Sequence, residues 1–209
     1  MLSIEILIAF FSASLLLALV PGPDNIFVLT QSIFQGKKSG LVIMLGLCTG
    51  LIFHTLAVTF GVAVIFQTSV IAFTILKIVG AMYLLYLAWQ IFNASSEKID
   101  TENNDISIDY KKLYYRGIIM NITNPKVSIF FLAFLPQFTN PALGTVSLQM
   151  LLLGALFILA TILIFGSIAL LSGSLAKVFN KSEKSQKILN KLASFVFLGL
   201  AIKLITTKQ

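Results

Sequence analysis

Asp24 and Lys126 are the two side chains of this 209-residue chain best suited to do chemistry. Each follows a proline inside an otherwise apolar stretch, in Pro21-Gly22-Pro23-Asp24-Asn25 and in Asn124-Pro125-Lys126. A carboxylate in such surroundings can carry a proton or bind an ammonium group. An ammonium there can hold a carboxylate, or pair with the acid until a ligand separates them. Even on the lenient insertion scale, an ionised group at the centre of a bilayer costs about 2.5 kcal/mol or more, so it is a functional candidate by default. The structural alternatives are that Asp24 caps the half-helix following its proline turn, and that Lys126 snorkels to an interface. Asn25, Asn121 and Asn124 suit either ligand contact or local satisfaction of the backbone. His54, the one histidine, is either a hydrogen bond between helices or a proton relay.

The prolines explain why these positions are polar at all. A proline removes one backbone donor and disrupts the carbonyl a turn earlier. Pro21 and Pro23 with Gly22 between them break a helix, and Pro125 interrupts the second stretch in the same way. In hydrocarbon, the freed backbone groups must be buried in protein or line a wet cavity. Half-helix ends meeting at mid-membrane present NH and carbonyl groups that suit ions and small zwitterions.

The surrounding chain is built for a membrane. It is 57% hydrophobic and 11% charged, against about a quarter charged in soluble domains, with a mean hydropathy of +0.96. Its apolar runs are continuous, whereas a membrane β-barrel would alternate polar and apolar residues. The expected class is an all-α polytopic membrane protein with six spans, near Ile4–Phe34, Gly40–Phe66, Val70–Phe92, Leu113–Phe138, Val146–Ser172 and Ile188–Ile205, the first and fourth broken. The Met1–Val20 stretch resembles a signal peptide, but Glu5 and the lack of an early Lys or Arg favour a retained first span. The single cysteine, Cys48, permits no internal disulfide, and with one histidine no His/Cys metal cluster is available. No cofactor is expected.

The net charge of +7 sits between the apolar runs, which points to topology rather than to nucleic acid. Lys37 and Lys38, the group around Lys111, Lys112 and Arg116, and the lysines from Lys177 to Lys191 all fall on one side of a six-span protein. The positive-inside rule makes that side cytoplasmic and leaves both termini periplasmic. Lys177, Lys181, Lys184, Lys187 and Lys191 keep helical spacing, as a basic face lying on anionic lipid or as a solvated loop. Trp89, Tyr114 and Tyr115 suit the cytoplasmic interface, and Lys77 suits snorkelling. Gly46-x-x-x-Gly50 suits close helix packing, within one chain or across a homodimer.

Aligning Pro23 with Pro125 divides the chain into residues 1–92, a connection over 93–112, and residues 113–209. Three spans per half invert the second half relative to the first, the plan of many secondary transporters.

These motifs resemble the LysE/RhtB amino-acid exporters. The likeness rests on Pro21-Gly22-Pro23-Asp24-Asn25 followed by Gly36-Lys37-Lys38-Ser39-Gly40 and on Lys77-Ile78-Val79-Gly80-Ala81-Met82-Tyr83. It continues in Asn124-Pro125-Lys126 with Phe134-Leu135-Pro136-Gln137-Phe138. The resemblance implies efflux of an amino acid or analogue across a bacterial inner membrane, driven by protons, with Asp24 and Lys126 as the family's aspartate and lysine. The expected partners are an amino-acid substrate, protons and the bilayer. Rival readings are an exporter of a metal or other inorganic ion, a hydrolase built on a serine and His54, and a structural subunit. One His and one Cys argue against soft metals, and no Gly-x-Ser-x-Gly motif supports hydrolysis.

Overall fold

A computed structural model describes residues 2–62, 70–93, 108–181 and 183–206, and every regular element among them is helical. The side chains of Lys177, Lys181, Lys184 and Lys187, and residues 94–107 of the expected connection, lie outside the described residues.

The chain opens with α1 (Ile4–Leu19), whose N-terminus is capped by Ser3 Oγ accepting from the Ile6 NH, with Glu5 in the first turn. Phe10 and Leu17 of α1 are fully buried, so this segment is part of the core. Pro21 ends it, and α2 (Pro23–Phe34) restarts with Pro23 in the first turn, where a missing NH costs nothing. The two helices meet at 60°. Gly36 then adopts φ 83°, a left-handed turn that admits α3 (Lys37–Ala57), which runs on as a π-helical turn over Val58–Val62. Next comes α4 (Val70–Phe92).

The second break mirrors the first. Asp109 caps α5 (Tyr110–Thr123), accepting from the Lys112 NH at 3.0 Å. Asn124 then leaves the helical region, Pro125 opens α6 (Pro125–Ile129), and the segment Pro125–Phe138 lies at 50° to α5. The chain winds on through a π turn over Phe130–Phe134 and a 3₁₀ turn over Leu135–Phe138 that contains Pro136. A turn whose Asn140 backbone is held by Gln149 leads into α7 (Val146–Lys181), followed by α8 (Glu183–Thr206).

By length and composition, Lys37–Gly61 and Val146–Ser174 can each cross a membrane alone, and each bent pair adds one more crossing where it forms a single broken span. That makes two spans, or up to four, among the described residues. Helices α4 and α8 lie where the third and sixth spans are expected: α4 carries one charged residue, Lys77, in its 23 residues, and α8 carries Lys184, Lys187, Lys191 and Lys203. Helix α8 also starts earlier than the expected sixth span, at Glu183.

Packing is set by small residues. The densest crossing is α3 on α5, where a methyl placed on Gly117 would lie 2.6 Å from Ile43 O and 3.2 Å from Gly46 Cα. Gly46 and Gly50 both face α5 of the same chain. α3 also packs on α7, α4 on α8, and α1 and α2 on α7. Beneath the breaks lies an aromatic floor in which Phe130 contacts Phe10, Phe134 and Phe157 with ring centroids 5.9, 4.8 and 5.1 Å apart. Replacing Gly117 by Ala should lower stability by about 1–3 kcal/mol, since backbone rather than a side chain must yield. Gly173→Ala, which meets open space, should leave it unchanged or raise it. Unfolding midpoints of the two variants in detergent test this pair.

Candidate functional site

The two breaks are more than a hundred residues apart in sequence and adjacent in space. Asp24 is 3% and Lys126 8% exposed, and both line one small cavity with Asn121 of α5, Leu47 of α3 and Thr161 and Phe165 of α7. Its volume is about 10 Å³, enough for about one water. The walls therefore leave little free space around the polar groups.

Each break is completed by the other. Lys126 sits at the start of α6, and its Nζ donates to Val20 O at 3.1 Å and to Leu17 O at 3.4 Å. Those are carbonyls from the last turn of α1, the end where partial negative charge gathers and a cation is favoured. In return, Asn124 Nδ2 donates to Asp24 Oδ2 at 2.8 Å, so a side chain of the second break satisfies the acid of the first. Asp24 lies in the first turn of α2, the end that favours a carboxylate. Asn124 does two jobs, because its Oδ1 also accepts from the Lys126 NH at 3.0 Å and caps α6.

The ammonium of Lys126 therefore holds helix carbonyls instead of making a direct pair with Asp24. Asp24 keeps one oxygen, Oδ1, buried and unpartnered. Gly22, between the prolines, lets the two breaks approach: a Cβ there would lie 3.2 Å from Lys126 Nζ. Pro21, Pro23 and Pro125 act through the backbone that they interrupt. Asn25 turns away from the cavity, donating from Nδ2 to Ala18 O at 2.8 Å and tying α2 back onto α1. His54 stands outside the cavity wall, with Nε2 3.1 Å from Asn121 O and its ring 5.6 Å from that of Phe131. A carbonyl only accepts, so Nε2 carries the proton in this contact.

Sequence reasoning passed over Thr161, Phe157 and Phe165, which α7 contributes to the cavity. Thr161 is 2% exposed, and the only signal for it was a polar residue inside a long apolar run. Among the described residues, no three His, Cys, Asp or Glu side chains gather as metal ligands would.

Residues 15–208 match the LysE type translocator family. The chain belongs to that family. Its members are transporters, not enzymes, and this translocator is a membrane protein whose cargo is a small molecule. Over 190 residues it is 35% identical to the homoserine/homoserine lactone efflux protein of Salmonella typhi, with 91% of each chain covered. The protein of that name from Salmonella typhimurium (strain LT2) is 34% identical over the same length and share. The uncharacterized membrane protein YrhP of Bacillus subtilis (strain 168) is 30% identical over 205 residues, 94% of the translocator and 97% of YrhP. No solved structure gives a significant match.

The crossed ties make a specific energetic prediction. Lys126→Met should destabilise the translocator by about 3 kcal/mol, because it strands α1 carbonyls and removes the cation nearest Asp24. Adding Asp24→Asn to that variant should recover part of the loss, as thermal unfolding of the singles and the double in detergent would show.

Proposed function

We propose that the translocator exports an amino acid or a close analogue across the bacterial inner membrane, by proton antiport with alternating access. The observation that carries this reading is the crossing of ties at the buried site. Lys126 holds the end of α1, and Asn124 holds Asp24, so each proposed half, residues 1–92 and 113–209, is latched through the other's break. A site that both halves must release is a site that can be exposed to each side in turn.

The six-span inverted-repeat plan belongs to this proposal. Pairing α1 with α2 and α5 with α6 as broken spans, and counting α3, α4, α7 and α8 singly, yields three spans per half. The packing supports it: the first segment of each broken span lies on the middle span of the other half, α1 on α7 and α5 on α3. The basic loops then face the cytoplasm and the termini the periplasm.

In this mechanism, ionised Asp24 receives the substrate's ammonium group, and a proton arriving from the periplasmic side displaces it. His54, one step outside the cavity through Asn121, is the candidate relay for that proton. Lys126 meets a substrate carboxylate by exchanging its bonds to Leu17 O and Val20 O for it, so loading and unlatching of α1 are one event. Asn25, Asn124, Gly22 and the three prolines Pro21, Pro23 and Pro125 form the frame. The Salmonella relatives are named for homoserine and its lactone. These share an amine, while a lactone has no free carboxylate, which makes the ammonium the common handle.

Counterflow of a labelled amino-acid panel in proteoliposomes tests the proposal. Wild type should exchange one or a few amino acids, and Asp24→Asn should lose exchange and its pH dependence while still reaching the membrane. Normal exchange and normal pH dependence in Asp24→Asn would remove the carboxylate from the mechanism. If folded wild type exchanged no amino acid, the cargo would be of another kind, with an inorganic ion next in line.

A further inference from the structure

Two unpartnered acceptors face the question of what the cavity receives. Among the described residues, Asp24 Oδ1 and Asn121 Oδ1 are buried oxygens with no donor, and both residues line the cavity that Lys126 also lines. The three other side-chain oxygens in that condition, on Asn25, Gln35 and Thr59, belong to residues that do not line it. A buried acceptor without a donor is costly to keep and therefore points to a ligand that donates. Lys126 does not fill that role in this form, because its ammonium is drawn to Leu17 O and Val20 O and bonds neither oxygen.

Asn121 is held as firmly as a binding group needs to be. Its carboxamide lies flat across Gly50, where a Cβ would come within 2.7 Å of both Cβ and Oδ1. Its backbone carbonyl accepts from the Asn124 NH at 3.1 Å and from His54 Nε2 at 3.1 Å. The residue is 3% exposed. Its position and burial are thus set by Gly50 and His54 of α3 and by Asn124 at the break before any ligand arrives.

Resting on the amino-acid-export reading, we propose that Asn121 is a second acceptor for the substrate's ammonium group, acting beside Asp24 and deciding the preference for amines. An ammonium carries three donors. One goes to the carboxylate and one to the amide oxygen, which leaves a third for a carbonyl or water. The amide is the chemically sensible second partner, since it adds a hydrogen bond to a cation without adding a charge. A second carboxylate there would need a second cation in low dielectric. Discrimination follows from the donor count: an α-hydroxyl offers one donor and leaves an acceptor stranded.

The test is counterflow by the purified full-length protein with labelled homoserine against its α-hydroxy analogue, and with the same pairing for any other amino acid found to be carried. Wild type should prefer the amine. Asn121→Leu, similar in shape but without the acceptor, should reduce that preference about tenfold or more by raising KM for the amine, with the hydroxy analogue little changed. Asn121→Gln, which keeps an amide oxygen without adding a charge, should keep more of the preference than Asn121→Leu. Gly50→Ala leaves residue 121 intact but displaces its carboxamide, and should shift the amine KM in the same direction; it carries the test if Asn121→Leu does not fold. Equal losses for both substrates would mean a packing role and overturn the assignment. An unchanged preference in Asn121→Leu, or in Gly50→Ala where that variant carries the test, would overturn it while leaving amino-acid export standing. Failure of wild type to carry any amine would overturn both.

Discussion

Two interrupted helices place free carbonyl and NH groups in the middle of an apolar body, and most of what is distinctive here follows from how those groups are satisfied. Water cannot do it where hydrocarbon surrounds the protein. The carbonyls at the end of α1 are answered by the Lys126 ammonium, and the N-terminus of α6 by Asn124. The carboxylate at the start of α2 receives the other end of that same asparagine. Neither break is self-sufficient. The polar cluster exists because each supplies what the other lacks.

This mutual dependence explains the packing around it. Bringing the breaks together requires α5 to lie against α3 at backbone distance, which the facing glycines Gly46 and Gly117 allow and which any larger side chain would prevent. It also explains the aromatic floor. Rings such as Phe10, Phe130 and Phe157 fill the volume beside the cluster with groups that ask for no hydrogen bonds. At the basic ends of α3 and α5 the same economy appears in another form. Lys38 lies 4.7 Å from the Tyr110 ring and Arg116 lies 4.4 Å from the Phe27 ring, so the cations lean on aromatic faces where the body meets its surroundings.

The cavity has room for about one water, too little for an amino acid. In this form the Lys126 ammonium is engaged with two carbonyls at the end of α1. On the proposed mechanism a ligand carboxylate competes for that ammonium, which links occupancy to the fit between α1 and α6.

Much of this was legible in the residues. Prolines fix where a helix must stop, because ring geometry and the missing NH act locally, and so both breaks, their charged residues and the all-helical membrane class follow from the chain alone. Membership of the family was equally readable from the motifs. The partners were not. That Lys126 reaches past Asp24 to α1, that Asn124 serves both charges, and that Asn121 lies on Gly50 depend on contacts between helices remote in sequence, for which a single chain offers no local signal. Thr161 joined the cavity for the same reason: α7 happens to pass there. The sequence by itself determined which residues would need partners, since that is a property of each backbone and side chain. Only the tertiary structure decided which partners they found, since that depends on which helices the glycines let come close.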